Sequence, residues 1–316
     1  MKTKGTIVCV GRLYADIVMT GLKAMPQIGR EHYADAVVVT PGGGALISAA
    51  FLRSLGRKVE LAATLGTDPV SCTIEPLLRK SGIGLSLLER FDGGPQLTVA
   101  LAVGDDRSFV THRAGPAVPE SLAGHLRRGG VRHLHVAELA TLLDARWLID
   151  VARECAITIS LDVAWDDAAI RLPGALALAR AVDLLIPNAP EAAALTGLPI
   201  DRPDLLLQML ATSGPTVVLK QGRQGAIWSD GMRQFASKAL ATDVVDATGA
   251  GDAFAAGFID AWIDGASPAT CLARATACGA FAVSNVGGAR TLPTRTEILD
   301  LETQVAVRPF AGAQAD

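Results

Sequence analysis

Short runs of β-branched and apolar residues recur along the chain, and they indicate buried strands. The first run is Thr6–Val10, and a second β-rich stretch, Ala34–Thr40, ends at a proline followed by three glycines. A segment dominated by alanine and larger apolar residues, Ala45–Leu55, is typical of a helix, and Gly56 follows it where a helix C-terminus favours glycine. Val59–Thr64 then predicts the next strand.

After about residue 130 the strand-like runs alternate regularly with segments of helical length. Such alternation predicts an α/β fold, in which helices cover a mostly parallel central sheet. The runs are His133–Val136, Ile157–Asp162, Asp183–Pro187 and Thr216–Lys220.

Two segments, 19–40 and 95–112, do not fit this alternation. Within the second, Leu97–Val103 and Ser108–His112 predict two strands joined by a turn at 104–107. We expect both segments to form a small β-rich lid beside the main sheet. The predicted organisation is one domain over residues 1–309, followed by a loose C-terminal tail at 310–316.

Composition and charge exclude several classes of function. The net charge is −3 and no block of like charge occurs, which argues against a nucleic-acid partner bound through a broad basic surface. No apolar run reaches about 18 residues, so we expect no membrane span. The five cysteines are scattered without a CxxC pair, and we expect buried thiols in a reducing, cytoplasmic compartment.

A glycine-rich loop stands directly before a long apolar run. Gly249 and Gly251 precede Ala253–Ile263, a pattern that predicts a tight loop leading into a helix. Backbone N–H groups of such a loop converge on an anion, and the positive end of the helix dipole adds to the attraction. Asp252 at the start of this helix could accept the proton of an attacking hydroxyl. An ordinary turn with a capping carboxylate explains the same residues.

This loop resembles the C-terminal signature of the ribokinase (PfkB) family of carbohydrate kinases, DTxGAGD. The resemblance implies that Asp252 is the catalytic base and that the loop is the anion hole, formed by Gly249, Ala250 and Gly251. It also implies that Thr248 contacts the nucleotide and that Asp246 contacts a monovalent cation such as K⁺.

A second resemblance, to the family motif GGxxxNxAxxxxxLG, concerns the substrate side. It implies that Gly42 and Gly43 approach the sugar closely. Asp16, a few residues beyond the first strand, occupies the place of the family aspartate that binds sugar hydroxyls, while an ordinary exposed loop aspartate is the alternative. Ile47 replaces the motif asparagine, and this departure leaves the identity of the substrate open. Arg113 could pair with a carboxylate, sulfonate or phosphate of the substrate, while a structural or solvated role remains equally open.

Three further stretches resemble the family's nucleotide side. Asn188 and Glu191 match the NxxE motif, which implies that they organise phosphate and Mg²⁺, Glu191 through water; a simple helix start is the alternative. The remaining matches are a (T/K)xGxxG nucleotide loop and an adenine-side helix and loop near residues 280–293; they imply nucleotide contacts for Lys220, Gly222, Gly225 and Asn285.

These resemblances imply an ATP- and Mg²⁺-dependent kinase that phosphorylates a hydroxyl of a ketose, a pentose or an anionic sugar derivative. A nucleoside kinase and a catalytically silent sugar- or nucleoside-binding relative are the alternatives. A P-loop kinase is excluded because no Gly-Lys dipeptide occurs, and the HRD and DFG signatures of protein kinases are absent. A lid with exposed strand edges also predicts a homodimer that pairs through it.

Overall fold

A computed structural model describes residues 5–103, 106–285 and 288–310 of the chain. Its strands are β1 Thr6–Val10, β2 Tyr14–Leu22, β3 Ala36–Gly42, β4 Val59–Gly66, β5 Gly84–Phe91, β6 Leu97–Val103, β7 Asp106–His112, β8 Val131–Val136, β9 Thr158–Leu161, β10 Leu184–Leu185, β11 Thr216–Lys220, β12 Ala226–Ser229, β13 Gln234–Ser237 and β14 Val307–Pro309. Its helices are α1 Gly44–Ser54, α2 Pro69–Lys80, α3 Leu122–Arg127, α4 Leu139–Asp144, α5 Trp147–Glu154, α6 Asp167–Ile170, α7 Ala175–Ala179, α8 Ala189–Thr196, α9 Pro203–Ala211, α10 Ala250–Trp262, α11 Pro268–Val283 and α12 Arg295–Glu302.

The central sheet confirms the predicted α/β class. Its strand order is β14-β13-β12-β11-β10-β9-β8-β1-β4-β5. Neighbours from β11 to β5 pair in parallel, and β12, β13 and β14 continue the sheet antiparallel. Helices cover both faces, as a parallel sheet requires.

Alternate residues of the first strand show how the two cores form. Ile7 and Cys9 belong to one buried cluster with Phe258 of α10, whereas Val8 and Val10 belong to a second cluster on the opposite face. Because successive side chains of a strand point to opposite faces, a continuous apolar run serves both layers. Helix α10 is therefore anchored directly on the sheet.

The lid is a separate sheet with the strand order β3-β2-β6-β7. Strand β2 pairs antiparallel with β3 and parallel with β6, and β6 pairs antiparallel with β7. The first lid strand, β2, begins at Tyr14, five residues before the predicted lid boundary at residue 19. Residues 104 and 105 of the predicted turn, and residues 311–316 of the predicted tail, lie outside the described residues.

Several sequence expectations need correction in detail. Strand β5 was not predicted, because its alternation of leucine with serine, glutamate and arginine is that of a half-buried edge strand. Helix α10 begins three residues before Ala253, since Gly249 already serves as its N-cap. The cysteines are not all buried: Cys72 is exposed and Cys155 is half-buried. Within the described ranges, no helix is long and apolar enough to cross a membrane.

A buried carboxylate ties the C-terminal part of α10 to its neighbours. The Asp260 side chain is fully buried and receives hydrogen bonds from Arg57 and from Arg274 of α11, the latter at 2.7 Å. Arg295 of α12 lies 3.6 Å from the same carboxylate. Three cations on three different segments thus converge on one position of the helix.

We expect Asp260→Ala to lower the free energy of unfolding by about 3–5 kcal/mol, because it removes the buried carboxylate that Arg57 and Arg274 share and leaves each with only its second partner, Asp264 or Glu302. Urea denaturation followed by circular dichroism measures this change. The control is Glu154→Ala, which removes the exposed pair between Glu154 and Arg127 and should leave the midpoint unchanged. An equal loss of unfolding free energy in the two variants would contradict the stabilising role assigned to Asp260.

Candidate active site

A cavity of about 590 Å³ lies between the lid and the carboxyl ends of the parallel strands. Ligand sites of α/β sheets commonly lie at this edge. Lid residues line one side and loops after β8 and β9 line the other. The lining residues are Tyr14, Gly44, Thr98, Thr111, Arg113, Ala137, Glu138, Ala140, Ala164, Trp165, Asp166, Asp167 and Asp252.

Asp252 lines this cavity from the first turn of α10. Gly249 caps the helix in the left-handed conformation, with φ of 74°. The N–H groups of Gly251 and Asp252 therefore lie in the first turn, where a helix leaves its N–H groups without intrahelical acceptors. The N–H of Ala250 instead donates to the Ala247 carbonyl at 3.3 Å. A carboxylate and free amide donors thus meet at one helix end.

Burial raises the pKa of Asp252 to about 7, and the negative charge of Asp162 adds to the rise while Lys220 opposes it. A carboxyl group with a pKa near neutrality is suited to exchange protons at physiological pH. Its position beside the cavity makes this property usable in a reaction.

Lys220 lies directly beside the loop. Its ammonium group donates to both carboxylate oxygens of Asp162, at 2.9 and 2.6 Å, and a methyl group on Gly251 would lie 3.3 Å from it. Although burial opposes the charge, Asp162 and Glu191 raise the pKa of Lys220. The lysine therefore stays cationic next to the α10 N-terminus.

Asn188 and Glu191 bond to each other at the start of α8. The Glu191 N–H donates to Asn188 Oδ1, and the Asn188 N–H and side-chain amide donate to the two Glu191 oxygens, each at 2.8 Å. This capping box is the helix-start arrangement that the sequence left open. The same segment lies beside Lys220, because Asn188 forms an isolated bridge with it. Burial raises the pKa of Glu191.

The predicted substrate residues divide into two groups. Arg113 lines the cavity, whereas Asp16, Gly42 and Gly43 do not. The Asp16 carboxylate packs so closely against Gly42 that a methyl group there would overlap it, and burial raises the pKa of Asp16 to about 7. The next glycine, Gly44, contributes directly to the cavity wall.

Ile47 contacts the glycine loop before α10 and does not line the cavity. Its side chain is buried, and a methyl group on Gly249 or Gly288 would come within 2.8 or 3.1 Å of Ile47 Cδ1. The replacement of the motif asparagine therefore places an apolar contact behind the loop.

Of the other predicted nucleotide residues, Thr248 precedes α10, Gly222 and Gly225 follow β11, and Asn285 follows α11. Gly222 and Gly225 bound a short turn, and the Asn285 side chain donates to the Phe281 carbonyl at 2.8 Å. The Thr248 N–H donates to Asp246 at 2.7 Å. Gly287 lies outside the described residues. A cavity of about 130 Å³ adjoins this region, lined by Leu240, Ala241, Thr242, Ala280, Phe281, Ser284, Leu301 and Gln304.

Sequence reasoning missed several polar residues of the site, among them Tyr14, Glu138, Asp162 and Asp166. Glu138 and Asp162 lie within two residues of the ends of β8 and β9, and a carboxylate just after a parallel strand is a signal that could have found them. Asp166 and Tyr14 gave no such signal, since they reach the cavity through a loop and through the lid.

Residues 4–295 match the sequence profile described as pfkB family carbohydrate kinase. The chain belongs to this family. It is similar to the ribokinase of Arabidopsis thaliana, with 26% identity over 311 residues that cover 93% of this chain and 80% of the relative. It is also similar to the 2-dehydro-3-deoxygluconokinase of Bacillus subtilis, with 28% identity, 78% of this chain and 82% of the relative.

The fold agrees with that assignment. The solved structure of the Arabidopsis thaliana ribokinase complexed with ribose and ATP superimposes with a TM-score of 0.80 at 23% identity, and the match covers 95% of this chain and 99% of the other. This PfkB protein is accordingly an ATP-dependent carbohydrate kinase, a phosphotransferase with an alcohol group as acceptor.

We expect Gly44→Ala to lower kcat by about 10- to 100-fold, because its methyl group would lie 2.6 Å from Asp252 Oδ1 and displace the carboxylate. Steady-state kinetics measures the loss, and an unchanged melting temperature shows that the fold is intact. The control is Gly94→Ala, whose methyl group meets no atom within 4 Å. Wild-type kcat in Gly44→Ala would contradict this placement of Asp252.

Proposed function

We propose that this kinase phosphorylates a hydroxyl of a small sugar or sugar-like acceptor bound in the 590 Å³ cavity, with Asp252 as the catalytic base. One observation carries the proposal: Asp252 lines the cavity from the first turn of α10, the turn whose N–H groups have no intrahelical acceptors. Phosphoryl transfer needs both groups, a proton acceptor and preorganised donors for the phosphoryl oxygens.

In the proposed reaction the acceptor hydroxyl oxygen attacks the γ-phosphorus of ATP, and the bond from that phosphorus to the β-phosphate oxygen breaks. Asp252 takes the hydroxyl proton, and ADP leaves with the electron pair of the broken bond. Lys220 and the first-turn N–H groups oppose the negative charge of the transferring group. The lid covers the cavity and excludes water that would otherwise accept the phosphoryl group.

The proposed acceptor side extends from Arg113 and Glu138 at the cavity wall to Asp16, Gly42 and Gly43 behind it. The proposed nucleotide side comprises Asn188, Lys220, Gly222, Gly225, Thr248 and Asn285. The small cavity beside Phe281 supports placing the adenine there, since its walls are mainly apolar. The curated relatives leave the charge of the acceptor open, because one is named for ribose and another for 2-dehydro-3-deoxygluconate, an acid.

Mg²⁺ would neutralise phosphate charge when it binds with ATP. No cluster of three or more potential ligands occurs among the described residues, which fits an ion held by phosphates and waters more than by a protein cage. Glu191 and Asp162 are the carboxylates that would face its hydration shell. A K⁺ contact for Asp246, a homodimer through the lid and a cytoplasmic location stay predictions.

We expect Asp252→Asn to lower kcat by about 10²- to 10⁴-fold, the usual contribution of a positioned base, while the melting temperature and ATP affinity change little. A coupled assay for ADP against a sugar panel, together with calorimetry for ATP binding, measures both. Wild-type kcat in the variant would exclude Asp252 as the base. Tight sugar binding without turnover in the wild type would favour the catalytically silent relative.

The activity should also depend on pH through Asp252. Its pKa is raised to about 7, so the carboxyl group is protonated below this pH and cannot accept the hydroxyl proton. We therefore expect kcat/KM to fall about tenfold per pH unit below neutrality. Asp162→Asn should move this midpoint to lower pH, because the Asp162 charge raises the pKa of Asp252. An unmoved midpoint in that variant would show that another group controls the profile.

A further inference from the structure

The cavity wall is strongly acidic. Four carboxylates line it, namely those of Glu138, Asp166, Asp167 and Asp252, against the one cation Arg113 in the portion of the chain that the structure describes. The wall therefore holds more acidic than basic side chains.

The one cation of the wall is already paired. Arg113 Nη1 donates to Asp166, and Arg113 Nε donates to the Tyr14 hydroxyl at 3.3 Å. Although burial opposes the charge of each group, their pairing raises the pKa of Arg113 and, with the Ala169 N–H, lowers that of Asp166. Both groups are charged at neutral pH, and each neutralises the other.

Asp166 is held in place independently of Arg113. It is the N-cap of α6 and accepts a hydrogen bond from the Ala169 N–H at 2.9 Å. Its side chain is only 15% exposed, compared with 41% for Arg113. An acceptor that competes for Arg113 therefore cannot simply push Asp166 into solvent.

Two further cations, Lys220 and Arg12, are committed to other partners. Lys220 binds both oxygens of Asp162. Arg12 donates to Gln96 at 2.9 Å and lies 3.4 Å from Asp144. Neither residue lines the cavity.

We propose that the acceptor of this kinase carries no anionic group, and that Asp166 determines this specificity by occupying Arg113. The inference rests on the proposed function of the same cavity and narrows its substrate class to uncharged hydroxylated compounds. A carboxylate, phosphate or sulfonate of the acceptor would have to replace Asp166 as the partner of Arg113. The Asp166 carboxylate would then lie unpaired, close to the negative charge of the acceptor.

An uncharged sugar meets no such penalty. Its hydroxyl groups can donate to Glu138 and Asp166 and can accept from Arg113 and Tyr14 at the same time. Burial raises the pKa of Glu138, so this group can also donate when it is protonated. Arg113 and Asp166 thus offer hydrogen-bonding groups to the acceptor while their own charges cancel.

The experiment compares matched acceptors: ribose with ribose 1-phosphate, and fructose with fructose 1-phosphate. We measure kcat/KM for each, and the dissociation constant by calorimetry with a non-hydrolysable ATP analogue. The wild type should favour the uncharged member of each pair in both measurements. Preference for the phosphorylated member would overturn the inference and leave the kinase function intact.

The decisive variant is Asp166→Asn. Asparagine caps a helix as well as aspartate does, so α6 should be preserved, while Arg113 loses its counter-charge. We expect the anionic-to-uncharged ratio of kcat/KM, and of binding, to rise by about tenfold or more.

The matched control is Asp167→Asn. Asp167 lines the same wall but pairs with Arg171, at 3.1 Å, and both side chains are largely exposed. The control should leave the ratio within about twofold of the wild-type value, because an exposed charge is screened by solvent. If the anionic-to-uncharged ratio rose equally in both variants, or did not rise in Asp166→Asn, Asp166 would not determine the charge specificity.

Absence of ATP turnover with every acceptor would instead contradict the proposed function. The binding series separates the two failures, since it reports the charge preference of the cavity without requiring phosphoryl transfer.

Discussion

The site depends on one electrostatic constraint: several carboxylates share a single ammonium group beneath the N-terminus of α10. Lys220 bonds to Asp162, and its charge also acts on Asp252 and Glu191. Groups of like charge so close together in a poorly hydrated place have shifted pKa values, and such shifts concentrate at functional sites. Asp252 is consequently poised near neutrality by burial and by its neighbours, not by any property of aspartate itself.

The rest of the fold holds this arrangement in place. At the other end of α10, Asp260 binds cations from three segments, and the middle of the helix packs into one of the two cores. Gly44 allows α1 to approach the Asp252 carboxylate, while Arg113 of the lid reaches the loop after β9 through Asp166. The body fixes the position of the Asp252 carboxylate, and the lid and the loop after β9 together fix the charges in front of it.

The sequence by itself determined the fold class, the family and the glycine loop. Each depends on residues that are close together in the sequence. Strands and helices are recognised from the local spacing of apolar residues, and Gly249, Gly251 and Asp252 of the DTxGAGD-like run lie together because they belong to one turn. The carboxyl ends of parallel strands share one edge of the sheet, so Glu138 and Asp162 could have been found in the same way. Ile47, in contrast, suggested a change at the substrate, whereas the fold places it against Gly249 of the glycine loop.

Only the tertiary structure decided which charges face each other. Arg113 and Asp166 are 53 residues apart, and Lys220 and Asp162 are 58 apart, so no local pattern links the members of either pair. The net charge that an acceptor meets follows from these long-range pairings, because a guanidinium or ammonium group attracts an anion only where no carboxylate already neutralises it. The type of chemistry could therefore be inferred from one short segment of the sequence, whereas the proposed charge preference of the cavity could be inferred only from the folded chain.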